Sequence, residues 1–360
     1  MVFNKGNKLI NANVKVNETL LECVKSVKYL GFTISAKNCS FLPTIVDLSI
    51  KANRAIFALN NKLNTSKLPT RLALKNFKTQ ISPILLYGCE VWGPYLDFSL
   101  ESWDKSKIEQ VHVQFLKRIL GCNYKTSNIM TRSEVGVRPL IMDIFKRTLL
   151  YTKSVKERKF STAYTAFEFE TANAVAPNFN SYISKIVPNP SELELLSRSD
   201  LIKRLNDVYD RYWWSKLLDS PKAISYVSFK NTVFLEKYLY TIENLKHKIA
   251  LSRFRLSNHN LLIERGRHMR PRLERNDRKC FVCSDKIENE MHFVTECPLY
   301  ENERSVLFQS CRENSMNFDL LTTSEQKFCF IMTNECESVI RNLGKFIFES
   351  FKLRESDIRS

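Results

Sequence analysis

Between Cys280 and Cys297 the chain sets three thiols and one imidazole in the order C-x2-C-x8-H-x4-C, and no other stretch constrains its folding so tightly. A Cys-x-x-Cys turn can aim two thiolates at one ion, and a later His and Cys can complete a tetrahedron. Sulfur and nitrogen donors of this kind favour zinc. A closed set of four protein ligands implies a structural ion, with no position left for a catalytic water. The spacing therefore predicts one Zn2+ held by Cys280, Cys283, His292 and Cys297. His292 and Cys297 lie five residues apart, about 140° around a regular helix, so the chain must break between them. Pro298 suits such a break if Cys297 stands at the mouth of a new helix.

Upstream runs a basic strip with Arg253, Arg255, Arg265, Arg267, Arg270, Arg272, Arg275, Arg278 and Lys279, opposed only by Glu264, Glu274 and Asp277. Its apolar residues, Leu251, Phe254, Leu256, Leu261, Leu262 and Ile263, are enough to fold it onto the protein. The expectation is that the arginines point outward and contact phosphates, for which guanidinium forks are well suited. The same cations would lower the thiol pKa values and favour metal-binding thiolates. His259 and His268 are expected at the surface. Net charge over 360 residues is +17, concentrated toward the front: residues 1–80 carry thirteen Lys/Arg against three acids. Such a field attracts polyanions, so the expected partners are RNA or DNA, gripped through the backbone with little base preference.

Composition excludes several alternatives. Eight glycines in 360 residues is about a third of the usual share, and Gly88-x4-Gly93 runs into Pro94-Tyr95 rather than the Lys-Ser/Thr of a phosphate-cradling loop. No apolar run approaches the ~20 residues of a membrane span. Nor does the start show the charged-then-apolar pattern of a signal peptide. Ten cysteines in such a chain point to reduced thiols, hence an intracellular, reducing compartment.

The predicted fold is mainly α with a small N-terminal β-hairpin. Val14-x-Val16, Val24, Val27 and Tyr29–Ile34 read as extended, broken by Gly31. Apolar residues then step by three and four from Ile45 to Leu63, opening a series of helices. The second starts at Leu68-Pro69-Thr70, with Pro83 expected to kink it. The third covers about Ser106–Leu120, capped by Gly121, and the fourth Leu140–Val155. Residues 172–199 read as a linker, Ser199 as the cap of a helix through Leu217, and two stretches near 303–312 and 325–352 as the last helices. The domain scheme is 1–40, 41–171, 172–250, 251–310 and 311–360.

Five phrases in order resemble one family: Tyr29–Ser35, Ile84–Gly93, Ile108–His112 running into Phe115–Gly121, Glu134-x-Gly136-x-x-Pro139-Leu140, and Glu288-x-Glu290-x-His292-Phe293-x-x-Glu296-Cys297-Pro298-Leu299-Tyr300. Together they look like the C-terminal half of a reverse transcriptase from a non-LTR, LINE-type retrotransposon. The resemblance implies a palm remnant with a primer-supporting hairpin at residues 1–40 and a duplex-gripping, thumb-like helical region at 41–171. Lys51, Arg54, Lys62, Lys75 and Lys78 would then be candidate phosphate contacts in the thumb. It also implies a C-terminal CCHC zinc segment and, for localisation, a nuclear stage. The family's palm carboxylates hold two metal ions, but no adjacent aspartates occur here. The resemblance therefore implies a chain that begins after the catalytic centre and does not polymerise alone. Asp207 and Asp210 are expected on a solvated helix face. His112 reads as a helix-face residue rather than a base. Arg211–Lys216 fits either core packing or stacking on unpaired bases. The rival from another class is a stand-alone zinc-stapled protein-interaction module whose basic face meets an acidic partner.

Overall fold

The computed structural model describes residues 13–22, 24–35, 41–96, 99–172 and 192–359. Most of the expected linker lies outside them. The described chain is mainly helical, with antiparallel strands confined to its N-terminal part. It forms two compact units. The first comprises residues 1–63, 75–112 and 139–209; the second comprises 64–74, 113–138 and 210–360.

In the first unit the expected hairpin is two hairpins. Lys15–Val16 pairs with Thr19–Leu20, and Ser26–Tyr29 pairs with Phe32–Ser35 in the register Tyr29↔Phe32, Val27↔Ile34. Leu30 (φ 47°) and Gly31 (φ 89°) make the second turn, the left-handed pair that a two-residue hairpin requires. This hairpin is pinned to the Leu42–Leu63 helix, where Thr44 Oγ1 accepts from Thr33 N and donates to Thr33 O, both at 2.9 Å. Ile45, Leu48, Ala52, Ile56 and Leu59 form that helix's buried face, as the periodicity predicts. Gly88 (φ +60°) has no room for a Cβ, which would sit 2.2 Å from the Phe32 ring. Tyr87 donates to Leu30 O at 2.9 Å from the same turn. Pro83 acts one turn early: residues Phe77–Ile81 form a π-helix, with Ser82 N donating to Phe77 O, before the Ser82–Leu85 helix begins. A π-bulge is one way a helix absorbs a missing proline donor.

Glu109, fully buried, ties this unit together. Its Oε2 accepts from Trp103 Nε1 and from Leu140 N, both at 2.8 Å, placing a carboxylate at the start of the Leu140–Glu157 helix. Its Oε1 pairs with His112 Nδ1 at 3.2 Å, and the His112 ring stacks on Phe77. His112 is thus a buried packing residue with a carboxylate partner.

Helix ends follow local chemistry. Gly121 (φ +65°) closes the Lys107–Leu120 helix as expected, with Cys122 N donating to Lys117 O and Gly121 N to Arg118 O. The Arg198–Leu218 helix is capped by Ser197 rather than Ser199, since Ser197 Oγ accepts from Asp200 N. Trp213 is buried in the core, whereas Asp207 is exposed. Asp210 makes a two-oxygen pair with Arg138. The stretch expected at 325–352 is two helices, Ser324–Thr333 and Glu337–Arg359. Asn334 breaks it: its backbone is extended (ψ 135°) and its Oδ1 accepts from Cys336 N, a local bond that competes with the helix.

In the second unit the Leu245–Arg255, Glu301–Asn314 and Glu337–Arg359 helices pack together. Phe293 sits among Tyr300 at 4.5 Å, Phe351 at 4.8 Å, Phe254 at 5.6 Å and Phe346 at 5.7 Å between ring centroids. The residue next to His292 is therefore the hub of an aromatic core.

Candidate metal centre

Cys280, Cys283, His292 and Cys297 converge, with their ligand atoms all within 4.8 Å of one another. Cys280 Sγ and Cys297 Sγ are 3.8 Å apart. With Zn–S bonds of ≈ 2.3 Å, the edge of an ideal tetrahedron is about 3.8 Å. Local hydrogen bonds build the first half of the site. Lys279 and Ile287 form a β-bridge, Cys280 N donates to Lys286 O, and Ser284 N returns to Cys280 O. Ser284, at φ 61°, lets the chain turn sharply after Cys283.

His292 comes from the short Glu290–Thr295 helix, whose cap Asn289 Oδ1 accepts from His292 N at 2.8 Å. Cys297 N donates to His292 O, and Cys297 caps the Pro298–Tyr300 turn that leads into the Glu301–Asn314 helix. The break that the five-residue spacing demands is present, with Pro298 in the first position of the new turn.

The imidazole supplies the test of whether a metal fits. His292 Nδ1 lies 3.1 Å from Glu296 Oε2, while its Nε2 is buried without a hydrogen-bond partner. A carboxylate on one nitrogen holds the proton there and leaves a lone pair on the other, as metal-binding histidines require. Cys280 is pulled down to about 3, first by the hydrogen bond from the Cys297 thiol and against burial, with His292 adding to the effect. Cys297 is pushed up by that same bond and by burial, and Cys283 is raised by burial and by the Cys280 charge. For His292 burial is the largest influence and lowers its pKa, but the nearby Cys280 and the Glu296 carboxylate together raise it. The thiols and the imidazole thus lie close enough to share protons that a cation would displace. The residues can hold a metal ion.

The surroundings support the four side chains. Arg304 donates to the carbonyls of Val294 and Cys297, capping the ligand helix and fixing the last thiol. Glu288 receives Arg354 on both oxygens at 2.8 and 2.9 Å, with both side chains buried, and also accepts from Leu262 N. Glu296 at i+4 from His292 was legible as a partner by helical spacing; Arg304 and Arg354 had no local signal.

The basic strip divides. Arg253, Arg265, Arg270, Arg272 and Lys279 are exposed, and Arg267 and Arg275 are half-buried. Arg255 and Arg278 do not point outward. Arg255 is buried against Glu134 and Glu236, and Arg278 donates to the carbonyls of Ile263 and Leu273. Both fill backbone or carboxylate acceptors inside the fold that would otherwise lose water without compensation. Arg267 is spoken for by Glu264 and by Pro221 O. His259 also departs from expectation: its side chain is 2% exposed, with Nε2 3.0 Å from Glu290 Oε1. His268 is exposed. Slight burial and then the charges of Lys222, Lys125, Arg267 and Arg272 hold its pKa below the usual histidine value.

The Glu134-x-Gly136 phrase has a structural meaning. Glu134 accepts from Tyr226 at 2.8 Å as well as from Arg255. Gly136 (φ +67°) lets residues 135 and 235 bridge, since a Cβ there would lie 2.3 Å from Leu235 N. No helix among the described residues is long and apolar enough to cross a membrane. No protein-family model matches the chain, and no curated protein or solved structure matches it either.

Proposed function

We propose that this chain is a nucleic-acid-binding C-terminal part of a LINE-type retrotransposon reverse transcriptase, stapled by one structural zinc ion and without polymerase activity of its own. Zinc is the metal that three thiolates and one imidazole in a closed tetrahedron favour. The five ordered phrases supply the family reading. Nucleic-acid binding is supported by the basic surface beside exposed His268, where Lys125, Lys222 and Arg272 come from three separate segments. Exposed Arg265, Arg270 and Lys279 extend it. Such a surface neutralises phosphates without reading bases.

The test is binding of the full chain to single-stranded and duplex oligonucleotides across a salt series. Changing Arg265, Arg270 and Arg272 to Ala should weaken binding to all sequences alike. The slope of log affinity against log salt should fall by about 0.7 to 0.9 for each phosphate no longer neutralised. An unchanged slope in a folded variant would remove the strip from the interface. Primer extension with magnesium or manganese should show no sustained incorporation.

A protein partner is the second reading. Leu42, Val46, Ile50 and Phe57 are exposed at helical spacing along the Leu42–Leu63 helix. A partner retained in a pull-down after nuclease treatment would favour it.

A further inference from the structure

The second unit holds an open cleft of about 740 Å³ beside the Leu245–Arg255 and Glu337–Arg359 helices, outside the metal centre and the His268 cluster. Its lining includes Lys246, Arg253, Lys352, Asn123, His259 and Phe348. We propose that this cleft receives one unpaired nucleotide of a single-stranded nucleic acid. The phosphate would lie on the three cations, with the base against the aromatic wall. The inference rests on the nucleic-acid reading above and adds to it a place and a strand state.

Four observations carry it. The cleft's size falls within the ≈ 300–1,000 Å³ of pockets that enclose small organic groups. Its lining holds three cations and one acid, Glu355, so an anion is favoured. Lys246 and Lys352 are exposed and have no ion-pair partner among the described residues. An aromatic wall beside cations is the composition that stacks unpaired bases while tracking their backbone.

The rim is held in place. Arg253 Nε donates to Gly121 O at 2.7 Å, and Asn123 N donates to Asn258 Oδ1 at 2.8 Å. These bonds tie the Arg253 guanidinium and the Asn258 amide to the 121–123 turn.

The experiment uses the full chain, a ten-nucleotide single-stranded oligoribonucleotide, and an abasic chain of the same length, titrated across salt. The variant is K246A/K352A, two exposed side chains, checked for unchanged helicity and metal content. The proposal predicts a salt slope lower by about 0.7, the one single-strand phosphate that the cleft holds. It also predicts that wild type prefers the base-bearing strand by about tenfold, the scale of one stacked base. Wild-type binding with an unchanged variant would overturn the cleft and leave the nucleic-acid reading standing. Equal binding of the abasic chain would overturn placement of a base, whatever the lysines do. No binding by wild type would overturn both readings.

Discussion

Two buried polar clusters in the second unit show opposite logic. Around Arg255, two carboxylates (Glu134 and Glu236) face two cations (Arg255 and Lys230), and Tyr226 donates to Glu134. That cluster balances its own charge. At Cys280, Cys283, His292 and Cys297, three thiols and an imidazole converge with an orphaned nitrogen and bring no cation of their own. A self-neutralised network needs no added charge, whereas a set of donors alone is complete only with an ion. Charge balance thus separates a cluster that supports the fold from one built to take a ligand.

The largest effect on the first cluster should come from Arg255→Ala. It strands two buried carboxylates and should cost about 3–5 kcal/mol, the range for breaking a buried pair from one side. Denaturant unfolding checks it; a loss under 1 kcal/mol would mean that the pairs are dispensable.

A pH effect of similar size should come from Glu290. Burial raises its pKa, but hydrogen bonds and charge from His259, with Ser225, hold it down to about 2 from an ordinary 4.5. A depressed carboxylate contributes stability that is fully present above pH 4.5 and lost as pH falls toward 2. The shift corresponds to about 3 kcal/mol. Glu290→Gln should flatten the acid limb of the stability curve, and an identical limb in the variant would contradict the assignment.

A smaller change is expected from Glu296→Gln beside the second cluster. It removes the carboxylate that orients His292, and such outer partners typically contribute 10–100-fold to metal affinity. Competition with a chelator reads this directly. Affinity within twofold of wild type would show that Glu296 does not set the tautomer.

The two clusters also differ in how legible they were. The thiols and imidazole fall within eighteen contiguous residues, and ligand spacing is a local property, as are the helical periodicities and the Gly121 cap. Arg255 and Glu134 are 121 residues apart, and no local pattern marks that pair. Arg255 and Arg278 therefore read as part of an outward strip, because composition cannot tell a cation that meets solvent from one that fills buried acceptors. Asn334 was missed for the opposite reason. A single side-chain-to-backbone bond outweighed an otherwise continuous apolar period.

The claim at the centre of this account is that Cys280, Cys283, His292 and Cys297 together hold one zinc ion. Metal analysis of the purified full-length chain, beside a C280S/C283S double variant, tests it most directly. The account predicts about one equivalent of zinc in the wild type and none in the variant, with loss of cooperative unfolding, since the free energy of a structural zinc is folding free energy. Less than about half an equivalent in the wild type, or full occupancy retained without the two thiols, would contradict it.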